Sequence, residues 1–266
     1  MNYEKHTEKR EKNNKKRKGK VNKKALIVIL SIIFILSASY IVWNIIDSKK
    51  AKNMDDLLDE IEISEEHSGD KTEMMLKIEE LRKINEEIVG WVKIEGTDIS
   101  FPVLQGKDNS FYLTHNYKKE HSGFGSIFLD KDYDFSKPSS NLLIYGHRDT
   151  KGGTMFEGLV NYKNEDFYRE HPNIKFATTQ EDSEYEIISV FLSRVYYKSE
   201  KNVFRYYFFV DAENEKEYND YVENSKKASM YNIDKTANFG DQLLTLSTCE
   251  YSQEDGRLAI VARKIK

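Results

Sequence analysis

The sequence predicts a mainly β domain, closed or nearly so, with a few helices around it, behind a single N-terminal transmembrane helix. Three observations predict this. Residues 25–46 run without a charge. From Trp91 onward, short runs rich in Val, Ile, Leu and Phe recur between turn residues, the pattern of closed antiparallel architectures. Helical period after that point is confined to one stretch, Ala212 to Lys227.

Residues 1–24 hold eleven Lys/Arg against three Glu and form a basic tail. Ala25 to Ile46 follows with twenty-two uncharged residues, mainly Ile, Leu, Val and Phe. As a helix, that length crosses a hydrocarbon core of about 30 Å. A cleaved signal peptide is the competing reading, but its apolar region is about 7–15 residues long and ends at a small-residue site. Here the span leads into Trp43-Asn-Ile-Ile-Asp47, an interfacial aromatic. A retained anchor is expected over 25–46, with residues 1–24 cytoplasmic by the positive-inside rule. Residues 47–266 are then outside. The whole chain carries −4 and the tail +8, so residues 25–266 carry −12. An acidic exported domain argues against nucleic acid as a partner.

Residues 47–70 are polar and charged, and read as a partly helical extracellular stalk. Residues 71–266 contain no proline-rich linker and read as one domain. Met74, Met75, Ile78, Leu81, Ile84 and Ile88 recur at three and four, the face of an amphipathic helix that Gly90 is expected to end. Trp91–Ile94 and Ile99–Leu104 then read as a hairpin, with Pro102 confining the second strand to an edge or to the start of a strand. Further strands are expected at 126–129, 141–145, 174–176, 185–192, 242–248 and 258–264. Tyr218, Tyr221, Val222 and Ser225 mark one face of the 212–227 helix.

Cys249 is the only cysteine, so it cannot form an internal disulfide. A lone cysteine is commonly a small buried hydrophobe, but an unpaired thiol in an exported domain points toward chemistry. A thiol nucleophile needs a base or cation to hold its thiolate and a donor for the oxyanion formed on attack. Of six histidines, His6 lies in the tail and His67 in the stalk, while His115, His121 and His171 lie in polar stretches. His147 differs: it ends the apolar run Leu142-Leu-Ile-Tyr-Gly146, though a histidine there can also be a plain turn residue. Arg257 heads the partner strand of the cysteine's strand, where hairpin geometry can return its guanidinium to the thiol. Its plainer role is pairing with Glu254 or Asp255.

Several motifs occur together and in order: Asn85–Ile94, Phe101-Pro-Val-Leu-Gln105, His121–Asp130, Tyr145-Gly-His-Arg148, Gly153-Thr-Met-Phe156, and Thr245-Leu-Ser-Thr-Cys249 followed by Arg257. This combination, over residues 71–266, resembles the sortases, and specifically class B sortases. The resemblance implies a closed eight-stranded β-barrel and a membrane-anchored cysteine transpeptidase of a Gram-positive type cell envelope. It implies that Cys249 attacks a threonine carbonyl in the C-terminal sorting motif of secreted proteins, forming a thioacyl enzyme. An amino group of a peptidoglycan precursor would resolve that adduct. His147 would be the general acid/base, and Arg257 would fix the substrate and stabilise the oxyanion. By position in the motifs, Asn109, Leu113, Ser247 and Glu250 would line the peptide groove. Ser193 to Gly240 matches the class insertion that forms a groove wall, but carries no motif that aligns residue by residue.

The interval between cysteine and arginine varies within the class. Arg257 is the only arginine between Cys249 and Arg263, and Arg263 lies six residues further, about 20 Å of strand rise. The residues suggest no metal and no cofactor. Two other functions remain open: an extracellular thiol protease that only hydrolyses the motif, and a non-catalytic wall-binding β-domain. A papain-like arrangement is disfavoured, because there the cysteine precedes the histidine and sits on a helix.

Overall fold

The computed structural model describes residues 23–60 and 71–266, apart from Pro138, Asp149, Lys151 and Gly152. The basic tail up to residue 22 and the stalk over 61–70 lie outside the described residues. The chain divides into two compact units, Met1–Ile46 and Asp47–Lys266.

Helix α1 spans Lys23–Glu60. Over Lys23–Trp43 it is long and apolar enough to cross a membrane, and none of that span is buried within the molecule. Phe34 is 74% exposed, which a core helix of a water-soluble fold would not leave in solvent. The helix continues to Glu60, so the first part of the expected stalk is helical.

The second unit is a closed barrel of eight strands: β1 Ile88–Lys93, β2 Ser100–Leu104, β3 Ile127–Leu129, β4 Asn141–Gly146, β5 Asn173–Ala177, β6 Asp182–Arg194, β7 Leu243–Cys249 and β8 Gly256–Lys264. Their order around the barrel is β1-β2-β3-β4-β7-β8-β6-β5, with β5 pairing back to β1. Two neighbouring pairs, β2/β3 and β4/β7, are parallel and the rest antiparallel. A parallel pair requires a crossover, and that between β4 and β7 carries helices α3 (Glu165–Glu170) and α4 (Glu215–Ala228) together with β5 and β6.

The apolar residues predict the strands because they form in-register rungs. Ile144, Leu246, Ile260 and Val190 align across β4, β7, β8 and β6, and all four are fully buried. Each such side chain contributes about 1.5–3 kcal/mol on leaving water. In β7 the six residues from Leu243 to Thr248 are all buried, so both its faces are covered. Helix α4 lies where the 212–227 pattern predicts, and Asn214 caps it by accepting from the Glu217 amide at 3.0 Å. Tyr218, Tyr221, Val222 and Ser225 form its buried face.

The first helix of this unit is shorter than its periodicity predicts. Helix α2 covers Glu73–Arg82 and buries Met75, Leu76, Ile78 and Leu81. Ile84 is exposed, and Ile88 already belongs to β1. The break comes from Asn85, buried with its amide donating to the Tyr112 hydroxyl and the Tyr117 carbonyl, and its Oδ1 accepting from the Glu87 amide. Gly90 therefore does not end a helix. It lies within β1, where a Cβ would come within 2.5 Å of the Phe176 ring and 2.8 Å of the Ala177 carbonyl. Pro102 occupies the half of β2 that pairs with β1 alone, before pairing to β3 begins at Val103.

Candidate active site

Strand β7 carries the chemistry through its period of two. Thr245, Ser247 and Cys249 fall on one face, with Leu244, Leu246 and Thr248 on the other. The polar face is covered rung by rung by the crossover. The Tyr221 hydroxyl from α4 bonds Thr245 Oγ1 at 2.9 Å, and Thr245 Oγ1 donates to Asn141 Oδ1 at 2.9 Å. One rung on, the Tyr206 hydroxyl bonds Ser247 Oγ at 2.7 Å. Burial raises the Tyr206 phenol to about 12, against the Ser247 hydroxyl and the Arg257 charge, so it stays neutral. At the third rung the cover stops, and Cys249 opens into a cavity of about 370 Å³.

His147, Cys249 and Arg257 all line this cavity. Cys249 is directly opposite Arg257 in the antiparallel β7/β8 pair. Gly146 is opposite Thr248 in the parallel β4/β7 pair, so His147 and Cys249 leave adjacent strand ends in the same direction. Thr248 Oγ1 donates to the Gly146 carbonyl at 2.8 Å across that pair. Gly146 has no room for a side chain: a Cβ would lie 2.4 Å from Ile127 Cδ1 and 2.6 Å from Phe156 Cδ2. Of the described histidines, His147 alone lines the cavity, half-buried, with Nε2 2.8 Å from the Leu113 carbonyl. That bond suits a ring protonated on Nε2. Cys249 is half-buried.

Arg257 Nη1 donates to the Asp255 and Gly256 carbonyls at 3.2 and 2.8 Å, so its guanidinium is anchored by its own turn. Arg263 lies at the far end of β8, paired with Glu186 and opposite Leu243. A second, larger cavity of about 470 Å³ opens at that far end, between Gln242 and Lys264, and holds neither the thiol nor His147.

Asn109, Leu113 and Ser247 line the cavity. Asn109 is largely engaged already, donating to Asp130 Oδ2 at 2.8 Å and accepting from the Lys131 amide at 2.8 Å. Glu250 departs from the expectation and is not among the cavity's lining residues. It is 4% exposed, with one oxygen 2.9 Å from Lys163 Nζ and the other accepting from the Ser252 amide and hydroxyl. Strand alternation accounts for this: Glu250 follows Cys249, so it turns away from the cysteine's face.

A sortase-domain family model matches residues 92–265, most of the chain. The chain belongs to the sortase family. Sortase B of Staphylococcus aureus (strain NCTC 8325 / PS 47) is 33% identical over 242 residues, covering 90% of this chain and 95% of that protein. Sortase B of Listeria monocytogenes serovar 1/2a is 34% identical over 191 residues, 71% of this chain and 74% of that protein. A solved Staphylococcus aureus sortase B–substrate complex superposes with a TM-score of 0.70 at 31% identity, over 83% of this chain and 98% of that one. The protein is thus a class B-type sortase, a cysteine transpeptidase with a single cysteine.

Sequence reasoning does not single out several residues of this sortase's cavity, among them Val195, Tyr206 and Tyr207. They come from the crossover segment that carries no alignable motif. The aromatic run Phe204-Arg-Tyr-Tyr-Phe-Phe209 is the available signal, since such density in a polar segment marks packing against something. Tyr145 also lines the cavity, its hydroxyl donating to Asp130 at 3.0 Å.

Proposed function

We propose that this sortase anchors secreted proteins to the cell wall, with Cys249 as nucleophile, His147 as general acid/base and Arg257 as oxyanion donor. The reading rests most on one observation: Cys249 faces Arg257 across one strand pair while its neighbour Thr248 is bonded to the residue before His147 across the other. The Cys249 thiolate attacks the carbonyl carbon of a threonine in a C-terminal sorting motif. The carbonyl π electrons move to oxygen, and Arg257 stabilises that charge. Collapse of the tetrahedral species expels the amine of the next residue, which takes a proton from the His147 imidazolium, leaving a thioacyl enzyme. An amino group of a peptidoglycan precursor then attacks, giving its proton to His147 as Cys249 departs as thiolate. Asn109, Leu113 and Ser247 would line the peptide's path, Asn109 by shaping the wall through Asp130.

The N-terminal span agrees with an enzyme of the cell envelope. We place residues 1–24 in the cytoplasm, 25–46 in the membrane, 47–70 as the stalk and 71–266 as the catalytic domain outside. The basic flank supports that orientation.

The experiment incubates the full chain in detergent with a library of threonine-containing peptides, with and without triglycine, and reads adducts by mass spectrometry. The expected result is a peptide acyl group on Cys249 that triglycine removes as an amide product. Cleavage that yields only the acid, with triglycine present, identifies a protease. Absence of any adduct from the whole library overturns the reading.

A further inference from the structure

Cys249 and His147 need a fixed separation, and the ties that set it lie in their neighbours. Thr248 bonds Gly146, as described above. Glu250 pairs with Lys163, at the end of the 3₁₀ segment Phe156–Lys163 that follows the His147 loop. Tyr251 meets Arg148, whose guanidinium carbon lies 5.1 Å from the ring centroid, while the Tyr251 hydroxyl is 3.4 Å from the Arg148 carbonyl. Residues 248, 250 and 251 around the thiol are thus each joined to the segment that carries His147.

The third tie differs from the other two. Glu250 and Thr248 are buried, whereas Tyr251 is 63% exposed. Neither Tyr251 nor Arg148 is among the lining residues of the substrate cavity. A large ring left in solvent adds little to the core, and its role here is to cover a cation. Arg148 is also bonded to Glu157 at 2.9 and 3.3 Å, but Glu157 belongs to the same segment and cannot link it to the thiol. That segment closes on itself through the Phe156 amide and His147 carbonyl at 2.9 Å, with Met155 held at φ 57°. For a methionine this is a strained backbone conformation. An outside restraint on Arg148 is therefore a restraint on the residue next to His147.

We infer that Tyr251 is a positioning residue, which through Arg148 holds the His147 ring in register with the Cys249 thiol. The inference rests on the roles assigned above to Cys249 and His147. A small displacement of a general acid/base lowers the rate of the chemical step without changing how well substrate binds.

The test compares Tyr251→Ala, Tyr251→Phe, Arg148→Ala and the Tyr251→Ala/Arg148→Ala double variant of the full chain. The substrate is the library peptide that acylates the wild-type thiol fastest, with triglycine as acceptor. Tyr251→Ala should lower kcat about 10-fold with KM for the peptide changed by less than about two-fold. Tyr251→Phe, which keeps the ring, should restore kcat. The double variant should be no slower than Arg148→Ala, because both lesions cut one tie. Melting temperatures should match wild type, since Tyr251 is exposed. A Tyr251→Ala enzyme with wild-type kcat overturns the inference while leaving the thioacyl mechanism intact. A change in KM alone also overturns it, by making Tyr251 a substrate contact. Wild-type chain that forms no adduct with any peptide removes the mechanism itself.

Discussion

The Tyr206 phenol and the Ser247 hydroxyl share a 2.7 Å hydrogen bond two residues before Cys249. Both groups are almost fully buried, at 1% and 3% exposure, so neither has water as an alternative partner. This bond ends the covered part of β7 and marks where the cavity starts. Tyr206→Phe should destabilise the domain by about 1–3 kcal/mol, the cost of leaving a buried hydroxyl unpaired. Adding Ser247→Ala should recover part of that loss. Urea melts of both variants measure it, and strict additivity would mean the two hydroxyls are independent.

Gly146→Ala places a methyl 2.4 Å from Ile127 Cδ1 and 2.6 Å from the Phe156 ring. The site cannot yield without moving β4 or the segment after His147. A loss of about 1–3 kcal/mol is expected, together with lower turnover in the fraction that remains folded. Thermal melts and single-turnover acylation separate the two effects.

Arg257→Ala should lower kcat/KM by about 100-fold or more if the guanidinium carries the oxyanion. Arg257→Lys should restore little, because an ammonium cannot bond two turn carbonyls and still present a fork to the substrate. Near-normal turnover of Arg257→Ala would assign the oxyanion to another donor.

Burial pushes the Glu250 carboxyl upward, but the Ser252 hydroxyl and the Lys163 ammonium outweigh it and hold the group at about 2, against an ordinary 4.5. A depressed carboxyl stabilises the fold fully above its unfolded value, and that stabilisation disappears as pH falls through the folded value. Glu250→Gln should therefore melt below wild type at neutral pH, with the gap closing between pH 4.5 and about 2. Melting temperature against pH for the two proteins tests this; a gap constant over that window would show that the charge is not what stabilises the turn.

Much of this architecture is legible in the chain itself. The β strands announce themselves by apolar runs because each must cover a closed interior, and the α4 face reads correctly because Tyr218, Tyr221 and Val222 recur at helical spacing. Cys249, His147 and Arg257 converge because each lies at a strand end, where small errors in boundary do not alter position. The failures have local causes. The helix at Glu73–Arg82 stops early because the Asn85 side chain diverts the backbone, which periodicity of apolar residues cannot register. Glu250 turns inward because one step along a strand reverses the face, so proximity in sequence to Cys249 misleads. The groove wall around Tyr206 stays hidden because its position depends on packing between a crossover and β7, a relation between segments that neither contains alone.

The Thr248–Gly146 hydrogen bond joins residues 102 positions apart, across parallel strands. Such a pair cannot zip up from a local turn, and the intervening crossover must be laid down first. Until the chain has folded around that crossover, Cys249 has its hairpin partner Arg257 opposite it but not His147, the base we propose. With the roles proposed above, folding acts as the enzyme's own safety catch: a chain still in transit, or one cut between the two strands and separated, carries Cys249 without the histidine that would work with it.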